Sequence, residues 1–583
     1  MDVNQYLQQG LAFHNAGDLS QAVRCYRAVL ESDPTNVDAL NLMSVLALQA
    51  GEARMAEDLA RQAVAGDPTY FAAHLSLGNA LQALGEVKAA AECFQRVVML
   101  NESSAEGYCN LASALNALDR FDAANDAAVQ ALVLNPDMPA AHNNFGVALL
   151  GQGSAEEAAE CFQKCVALDP QFTEGWHNLG NACAGLGDHE GALNAFAHAL
   201  QIEATAERFY NLGNAFLALM RLDEAARCFS QAIEIDNQMA DAWSNLSMVL
   251  RYAGNLAEAE DVQRAAVSLA PDDAEVHFNL ATLLLQQGKY AEGWAEYEWR
   301  WGLPDFQASV RDFGKPRWDG APLEGRTLLV SAEQGFGDAI QFCRLVPLAA
   351  ARGGRVVLEC RPGLERLFAS LAGCAQVVPL GAPLPDFDVH VPLMSLPHIL
   401  GLEVGRIPAD VPYLTAPAGV SRFDDLAAVA GLKIGIAWAG KESRRDNRIR
   451  SCAAKDFAPL ADLPGITLYS LQVGPAAGLG ELAGRGNVHD LAPRLGDFAD
   501  TAAAIAQLDL VISVDTSVAH LAGALGKPAW VLLSRPSNAF LWMEGRDDSP
   551  WYPATRLFRQ PEAGDWAGLL SQVKQELAAQ VAP

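Results

Sequence analysis

Three short segments of the chain combine residue types that could bind a phosphate or move a proton. The first, Gly335-Phe336-Gly337-Asp338, places a carboxylate beside two glycines. The third, residues 515–528, opens with Asp515-Thr516-Ser517 and contains His520. The second segment lies between these two and holds five cations within ten residues: Lys441, Arg444, Arg445, Arg448 and Arg450. Arginine pairs well with phosphate oxygens, and glycines and helix N-termini bring backbone N–H groups close to an anion.

The same residues also have plainer interpretations. A run of cations is often only a solvated surface, and a lone histidine such as His520 is often a core or capping residue. Against these stands the position of each segment after a predicted strand. Two of the segments follow the apolar runs 327–331 and 510–514, and the cations follow the stretch 432–440, a strand with a glycine turn. Strand, glycine-rich turn and helix in succession begin a doubly wound parallel sheet, which binds ligands at the carboxyl ends of its strands.

Two α/β halves are therefore predicted, with a ligand cleft between them. The remaining strands are predicted at residues 355–359, 376–378, 388–391, 467–471 and 529–533. The glycine segment lacks the third glycine of a dinucleotide fingerprint and no ribose-binding acid is marked, which disfavours an oxidoreductase. Asp386-Phe387-Asp388 could bind a metal ion in another fold, but here it leads into a predicted strand, which disfavours a metal site.

The first half of the chain is a tandem repeat with a period of 34 residues. Leu-Gly recurs early in the unit, for example at Leu77-Gly78 and Leu179-Gly180, and Gly-Asp or Gly-Asn marks a turn. Prolines recur at positions 34, 68, 136, 170 and 271, and alanines at 22, 56, 90, 124, 158, 192, 225 and 259. This is the tetratricopeptide signature, in which each unit is a pair of amphipathic helices. We count about nine units over residues 3–301, and their stacking would create a superhelix with a concave face.

Asparagine occupies one equivalent position in six consecutive repeats. These residues are Asn110, Asn144, Asn178, Asn211, Asn245 and Asn279. An amide both donates and accepts, so such a ladder could bind the backbone of an extended peptide whatever its sequence. Asparagine before Leu-Gly is, however, also common in ordinary repeats of this type, so both interpretations stay open.

Aromatic residues are concentrated where the repeats end. Trp294, Tyr297, Trp299 and Trp301 lie within eight residues, followed by a connector rich in glycine and proline. We expect these rings to pack the array onto the next domain. A base-stacking platform is disfavoured, because the stretch carries two glutamates and one arginine.

The net charge of −29 is unevenly distributed. Residues 1–301 carry 15 Lys and Arg against 40 Asp and Glu, and residues 302–583 carry 26 against 30. Such acidity argues against general nucleic-acid binding, which depends on cations that meet phosphates. The 11 scattered cysteines suggest buried thiols in a reducing compartment, and no apolar run is long enough to span a membrane, so a soluble, cytoplasmic protein is expected.

The glycine segment, together with the Asp-Thr-x-x-Ala-His-Leu-Ala-Gly-Ala-Leu-Gly-x-Pro pattern of residues 515–528, resembles the heptosyltransferase-like GT-B glycosyltransferases. The tail, with Trp551-Tyr552-Pro553 and Asp565-Trp566, resembles the branch of that family that is fused to tetratricopeptide arrays. The whole arrangement is similar to bacterial protein O-glycosyltransferases, including those that modify flagellin. The array also resembles the superhelix of the O-linked N-acetylglucosamine transferase, whose inner face carries an asparagine ladder.

This resemblance implies roles for the residues singled out above. Asp338 would be the general base that deprotonates the acceptor hydroxyl, and His520 a second catalytic residue. The donor would be bound by Gly335, Gly337, Lys441, Arg444, Arg448, Arg450, Asp515, Thr516 and Ser517. The asparagine ladder would bind the acceptor peptide, and GT-B transferases generally need no metal or cofactor.

The expected fold class is thus an all-α tetratricopeptide superhelix followed by an α/β GT-B module of two Rossmann-like halves. The expected domains are repeats 3–301, connector 302–325, first half 326–418 and nucleotide-sugar-binding half 419–583. The expected function is transfer of a sugar from a nucleotide-sugar to Ser or Thr of a captured protein, with flagellin as one candidate acceptor. The alternatives are an adaptor or chaperone with a degenerate transferase domain, and a small-glycan transferase of lipopolysaccharide assembly, which would leave nine repeats without a task.

Overall fold

The computed structural model describes residues 3–440, 447–474, 478–535 and 540–581, without the side chains of Arg448 and Val581. The chain forms two compact units, Met1–Asn237 and Gln238–Pro583. The described part of the first unit is helical, and that of the second unit contains helices and two parallel sheets. The predicted fold class, a helical repeat array followed by an α/β region, is confirmed in this order of elements.

The first unit is a succession of helix pairs. Its helices are α1 (Val3–Asn15), α2 (Leu19–Ser32), α3 (Val37–Gln49), α4 (Ala53–Gly66), α5 (Phe71–Ala83), α6 (Val87–Leu100), α7 (Ala105–Asn116), α8 (Phe121–Leu134), α9 (Pro139–Gly151), α10 (Ala155–Leu168), α11 (Thr173–Gly185), α12 (His189–Ile202), α13 (Ala206–Ala218) and α14 (Leu222–Ile235). The turn within a pair follows the predicted Gly-Asp signal. Gly187 has a φ of 77°, which glycine adopts readily, and the Asp188 carboxylate accepts the Gly191 N–H to cap the next helix.

Five of the helix pairs in the first unit are packed together by a contact between a glycine and an aromatic ring. A Cβ atom placed on Gly180 would lie 2.4 Å from Cε1 of Phe196, a ring that is almost fully buried. Gly78 has the same relation to Phe94. The missing side chain lets the first helix lie directly on the ring, which explains why Leu-Gly and an aromatic residue recur in the same repeat.

The second unit begins with two more helix pairs and then continues into the aromatic segment. Its helices before the first strand are α15 (Ala240–Tyr252), α16 (Leu256–Leu269), α17 (Ala274–Gln286), α18 (Tyr290–Glu296) and α19 (Pro304–Gln307). The Trp294 ring lies 5.6 Å from that of Phe342, and the Tyr297 ring lies 6.0 Å from that of Phe540. The predicted role of this segment, packing the last repeats onto the α/β region, is confirmed.

The first sheet has four parallel strands in the order β3-β2-β1-β4. The strands are β1 (Thr327–Ser331), β2 (Arg355–Cys360), β3 (Cys374–Pro379) and β4 (Val389–Pro392). The helices of this half are α20 (Phe336–Phe342), α21 (Val346–Ala350), α22 (Glu365–Phe368) and α23 (Leu396–Ile399). Strand β1 lies where it was predicted, and the other three are shifted or extended by one or two residues.

The second sheet has six parallel strands in the order β10-β9-β8-β5-β6-β7. The strands are β5 (Leu432–Ala437), β6 (Ile466–Ser470), β7 (Val488–Asp490), β8 (Leu510–Val514), β9 (Ala529–Leu533) and β10 (Thr555–Arg559). The helices are α24 (Asn447–Arg450), α25 (Ala458–Ala461), α26 (Phe498–Ala506), α27 (Ser517–Ala524) and α28 (Trp566–Val581). The two edge strands, β7 and β10, were not predicted, because β7 is short and β10 carries arginines that interrupt its apolar pattern.

The glycine–aromatic contact predicts the effect of a single methyl group. Gly180→Ala should destabilise the array by about 1–3 kcal/mol, because the new Cβ would overpack the Phe196 ring. Gly185→Ala in the same helix is the matched control, since a Cβ there meets nothing within 4 Å and alanine is the better helix former. Urea denaturation followed by far-UV circular dichroism should show a lower midpoint for the first variant only. Equal midpoints for the two variants would contradict this account of the contact.

Candidate functional site

The described residues of the three predicted segments lie at the points where the strand order of each sheet reverses. In the first sheet the reversal falls between β1 and β4, and in the second between β5 and β8. The glycine segment follows β1, and Asp515 follows β8. In open parallel sheets, the crevice for a ligand opens outside the carboxyl ends of the strands at such a reversal.

Helix α20 begins within the glycine segment. Gly335 precedes its first residue, and the Gly335 N–H donates to Oδ2 of Asp338 over 3.1 Å. The proposed base therefore lies in the first turn of the helix and caps it. Asp338 is half-buried, so its carboxylate keeps some access to solvent.

The second glycine of the segment brings the two α/β halves together. A Cβ on Gly337 would lie 3.0 Å from Cδ2 of His520 and 3.7 Å from Cα of Ser517. Helices α20 and α27 therefore approach each other at their N-terminal turns. A Cβ at position 337 would press on the imidazole, which would have to shift by a few tenths of an ångström. Glycine therefore lets the segment that carries Asp338 lie close to the start of α27.

The His520 side chain is almost completely buried between aromatic rings. It stacks on Trp542 with an interplanar angle of 14°, and its Nδ1 lies 3.1 Å from the Tyr552 hydroxyl oxygen. Its Nε2 lies 3.7 Å from Oδ1 of Asp515. Burial lowers the pKa of His520 to about 4, although the Asp515 carboxylate acts in the opposite direction. The imidazole is therefore neutral at neutral pH and can form hydrogen bonds, but it does not supply a positive charge.

Asp515 links the end of β8 to the cationic segment. Its Oδ1 accepts the indole N–H of Trp542 over 2.8 Å, and its Oδ2 lies 3.5 Å from Nη2 of Arg450. The hydroxyl of Thr516 is buried and lies 3.0 Å from Oγ of Ser513, so it is engaged within the loop itself. Ser517 is the first residue of α27.

Most of the cationic segment falls outside the described residues. This applies to Lys441 and Arg444 as a whole and to the side chain of Arg448. The loop that leads into the segment is held firmly, because Oε1 of Gln472 accepts the N–H groups of Trp438 and Ala439 over 3.1 and 3.0 Å. Residues 438–440, which precede the segment, therefore lie at the carboxyl end of β5, beside β8.

Several residues that shape the site were not anticipated from the sequence. The Arg344 guanidinium is buried, donates to the carbonyl oxygen of Trp551 over 2.6 Å, and lies above the rings of Tyr413 and Tyr552 at 4.2 and 4.7 Å. Trp542 and Tyr552 enclose His520 from the tail of the chain. The density of aromatic residues over 540–552 was the available signal for the two rings, whereas a single arginine within an apolar helical pattern gives none.

The asparagine ladder bonds neighbouring repeats to each other. Nδ2 of Asn110 donates to Oδ1 of Asn79 over 2.9 Å, and Nδ2 of Asn144 donates to the carbonyl oxygen of Cys109 over 3.0 Å. Asn178 and Asn279 donate in the same way to Asn143 and Ser244 of the preceding repeat. All six ladder residues, including Asn211 and Asn245, lie on the first helix of their pair. The ladder therefore has a structural function whether or not it also contacts a peptide.

Three further observations concern metals, membranes and thiols. In the part of the chain that the structure describes, no three His, Cys, Asp or Glu side chains are grouped as a metal ion would need. Asp388 of the D-x-D motif accepts the Thr327 N–H over 2.7 Å at the start of β1.

Among the described residues, no helix is both long and apolar enough to cross a membrane. All 11 cysteines carry free thiols.

Comparison with known protein families identifies both parts of the chain. Profiles of the tetratricopeptide repeat match residues 7–71, 42–107, 75–141, 109–172, 173–205, 210–274 and 250–298. The profile of glycosyltransferase family 9 (heptosyltransferase) matches residues 477–538. The second match contains β8, the Asp515–Ser517 segment and α27, which form the second half of the site.

Individual relatives and solved structures match only parts of the chain. Protein FlbA of Caulobacter vibrioides is 27% identical over 352 residues, which are 55% of this chain and 58% of that protein. Among solved structures, MamA is 27% identical with a TM-score of 0.26, over 29% of this chain and 92% of MamA. One chain of the Cut9–Hcn1 crystal structure is 19% identical with a TM-score of 0.39, and the match covers 45% of this chain and 52% of that chain.

The burial of His520 predicts a dependence of stability on pH. Because its pKa in the folded protein lies below the ordinary value of 6.5, the unfolded chain binds a proton first as the pH falls. Stability should therefore decrease from pH 7 to pH 5 by about 2 kcal/mol more in the wild type than in His520→Gln. Urea denaturation followed by tryptophan fluorescence measures this, with His398→Gln as the control at an exposed histidine. Equal pH dependence in the wild type and His520→Gln would contradict the burial of a neutral ring.

The fold, the site and the comparisons agree with one another. The helix pairs are the units that the tetratricopeptide profiles match, and the loop after β8 lies within the glycosyltransferase profile. The contact at Gly337 joins that loop to the glycine segment of the first sheet. The chain thus contains tetratricopeptide repeats, followed by a heptosyltransferase-like segment that matches the profile of glycosyltransferase family 9.

Proposed function

We propose that this protein transfers a sugar from a nucleotide-sugar to a Ser or Thr hydroxyl of a polypeptide that its repeat array captures. The observation that carries the proposal is the contact of the family 9 segment with the glycine segment at Gly337, in a chain that also contains tetratricopeptide repeats. In the same proposal the two parallel sheets are the halves of a GT-B module. We keep 3–301, 302–325, 326–418 and 419–583 as the proposed domain bounds.

The donor would lie at the carboxyl ends of β5 and β8. Its phosphates would be neutralised by Arg450 and by Lys441, Arg444 and Arg448 of the same segment, because guanidinium groups bind phosphate oxygens with paired hydrogen bonds. The first backbone N–H groups of α27, from Ser517 onward, would add donors to the same anion. Cations in these positions would do what a metal ion does in other transferases, so we propose a metal-independent reaction.

The acceptor hydroxyl would lie beside Asp338. Its proton passes to the carboxylate as its oxygen bonds to the anomeric carbon of the sugar. The bond from that carbon to the phosphate oxygen breaks, and the leaving nucleotide takes the electron pair. General-base catalysis of this kind contributes about 10²–10⁴-fold to a rate, and the cations stabilise the charge that develops on the leaving group.

In this proposal His520 acts as a neutral hydrogen-bonding group. Its depressed pKa excludes a role as a cation at neutral pH. Its contacts with Asp515 and Tyr552, and its approach to Gly337, suit a side chain that orients the catalytic segments.

The acceptor would be a protein held along the repeat array. The array carries most of the negative charge of the chain, which would disfavour acidic segments of an acceptor. Flagellin is one candidate acceptor, because the arrangement resembles bacterial transferases that modify it. Free thiols suit a reducing compartment, and we propose a cytoplasmic location.

Replacing Asp338 tests the proposed base. Asp338→Asn should lower transfer by about 10²–10⁴-fold, because the amide oxygen can still accept the Gly335 N–H but the side chain no longer accepts a proton. Asp338→Ala should lose the helix cap as well. Intact-mass spectrometry of candidate acceptors, coexpressed with each variant, measures transfer and gives the mass of the sugar.

Asp565→Asn is the matched control for this substitution. Asp565 also accepts a backbone N–H in the first turn of its helix, from Gly568 over 2.7 Å. This variant should retain wild-type transfer. Wild-type transfer by Asp338→Asn would refute the assignment of the base, and acceptor binding by a wild-type protein that shows no transfer would favour the adaptor alternative.

The ladder can be tested with two variants that lose the same hydrogen bond. Asn110→Ala and Asn79→Ala both remove the 2.9 Å bond between these amides, but only Asn110→Ala removes a ladder residue. If the ladder binds the acceptor, Asn110→Ala should weaken acceptor binding about 5- to 10-fold more than Asn79→Ala, which is the effect of about one hydrogen bond. Equal affinities, measured by isothermal titration calorimetry, would leave the ladder with its structural function alone.

A further inference from the structure

The segment that follows the last helix pair reaches the loop that carries Asp338. Arg300 lies in the 3-10 helix Tyr297–Gly302, and its side chain is fully buried. Its Nη2 lies 3.1 Å from Oε1 of Glu333 and donates to Oγ of Ser395 over 2.8 Å. Glu333 follows β1 and Ser395 follows β4, so this one guanidinium connects the two strand ends at which the order of the first sheet reverses.

The Arg300 side chain is itself held from several sides. It lies over the Trp301 ring at 4.3 Å and donates to Oε1 of Glu298 over 2.7 Å. Arg317 joins the same network by donating to Oε2 of Glu298 and to Oγ of Ser395, over 2.5 and 2.7 Å. A buried charge is costly unless it is paired and hydrogen-bonded, so this network holds the guanidinium in one place.

A second residue of the same 3-10 helix binds the next position of the loop. Nε2 of Gln334 donates a hydrogen bond to the hydroxyl oxygen of Tyr297 over 2.9 Å. The Tyr297 ring is buried and packs on Phe278 of α17, with centroids 5.3 Å apart. Residues 333 and 334, directly before Gly335, are therefore both bound by residues at the end of the repeat array. On the other side of the loop, Nε of Arg361 donates to the carbonyl oxygen of Gln334 over 2.5 Å.

We propose that Tyr297 and Arg300 are positioning residues that set the β1–α20 loop, and with it the carboxylate of Asp338. They act through Gln334 and Glu333 and do not touch the substrate. The 3-10 helix after the last helix pair is then part of the catalytic framework. The expected effect on kcat rests on the proposed function, whereas the expected effect on the order of the β1–α20 loop does not.

Tyr297→Phe tests the proposal with the smallest change. It removes the hydroxyl that binds Gln334 and keeps the packing of the ring. In the full chain without substrate, the amides of residues 335–338 should exchange with deuterium about 5- to 10-fold faster, as expected for the loss of one hydrogen bond. In steady-state assays with a nucleotide-sugar, kcat should fall by a similar factor, while KM for the donor and the thermal unfolding midpoint stay unchanged.

Tyr469→Phe is the matched control. Tyr469 is equally buried, but its hydroxyl has no hydrogen-bond partner in the described structure. Exchange in residues 335–338 and kcat should match the wild type in this variant. If Tyr297→Phe behaves like Tyr469→Phe in both measurements, the proposal is wrong.

Arg300→Lys extends the test. Lysine keeps the charge but lacks the planar fork that reaches Glu333 and Ser395 together, so exchange should increase more than in Tyr297→Phe. Wild-type exchange in a folded Arg300→Lys protein would overturn the role of Arg300. Should this variant fail to fold, Tyr297→Phe still decides the proposal. An absence of transfer by the wild type with any donor would defeat the proposed function, and the exchange measurements would still support or overturn the positioning.

Discussion

The contact of Gly337 with the side chain of His520 is the constraint on which the site depends. Two helices that follow strands of different sheets meet there at their first turns, and a Cβ between them would lie only 3.0 Å from the imidazole, a tighter contact than most Cβ atoms make. Because the backbone at Gly337 lies against the imidazole, the segment that carries Asp338 and the family 9 segment are in contact. The same contact contributes to the burial of His520, which lowers its pKa and keeps the ring neutral. The close approach of the two helices and the neutral state of His520 thus have one common cause.

Charge is distributed in two different ways in this protein. The repeat array carries its acidic excess mostly on the surface, where water screens it. In the α/β region, several arginines are buried and held by networks of hydrogen bonds and aromatic rings, as Arg300 and Arg344 are. Such side chains connect several elements, because the planar guanidinium donates hydrogen bonds in fixed directions. The site is therefore surrounded by groups whose positions are determined by charge burial as much as by apolar packing.

The predictions from the sequence succeeded where a local pattern reports directly on structure. The 34-residue period predicted the helix pairs, and the apolar run at 327–331 predicted β1, because burial on both faces of a parallel strand demands such a run. The edge strands β7 and β10 were missed, because β7 has only three residues and arginines interrupt the apolar pattern of β10. The asparagine ladder shows a subtler limit: its spacing was visible, but the bond from Asn144 to the backbone of the preceding repeat was not.

The order and type of most elements, the division of charge and the three segments that follow strands are predictable from the sequence, because they depend on neighbours within one repeat or one strand–turn–helix unit. Three other features are visible only in the folded chain: Gly337 touches His520, Tyr552 and Trp542 enclose that ring, and Arg300 connects the loops after β1 and β4. These contacts join residues far apart in the chain, from different sheets or from the array and a sheet. No local periodicity encodes them, since they arise only when the sheets and the last repeats pack together.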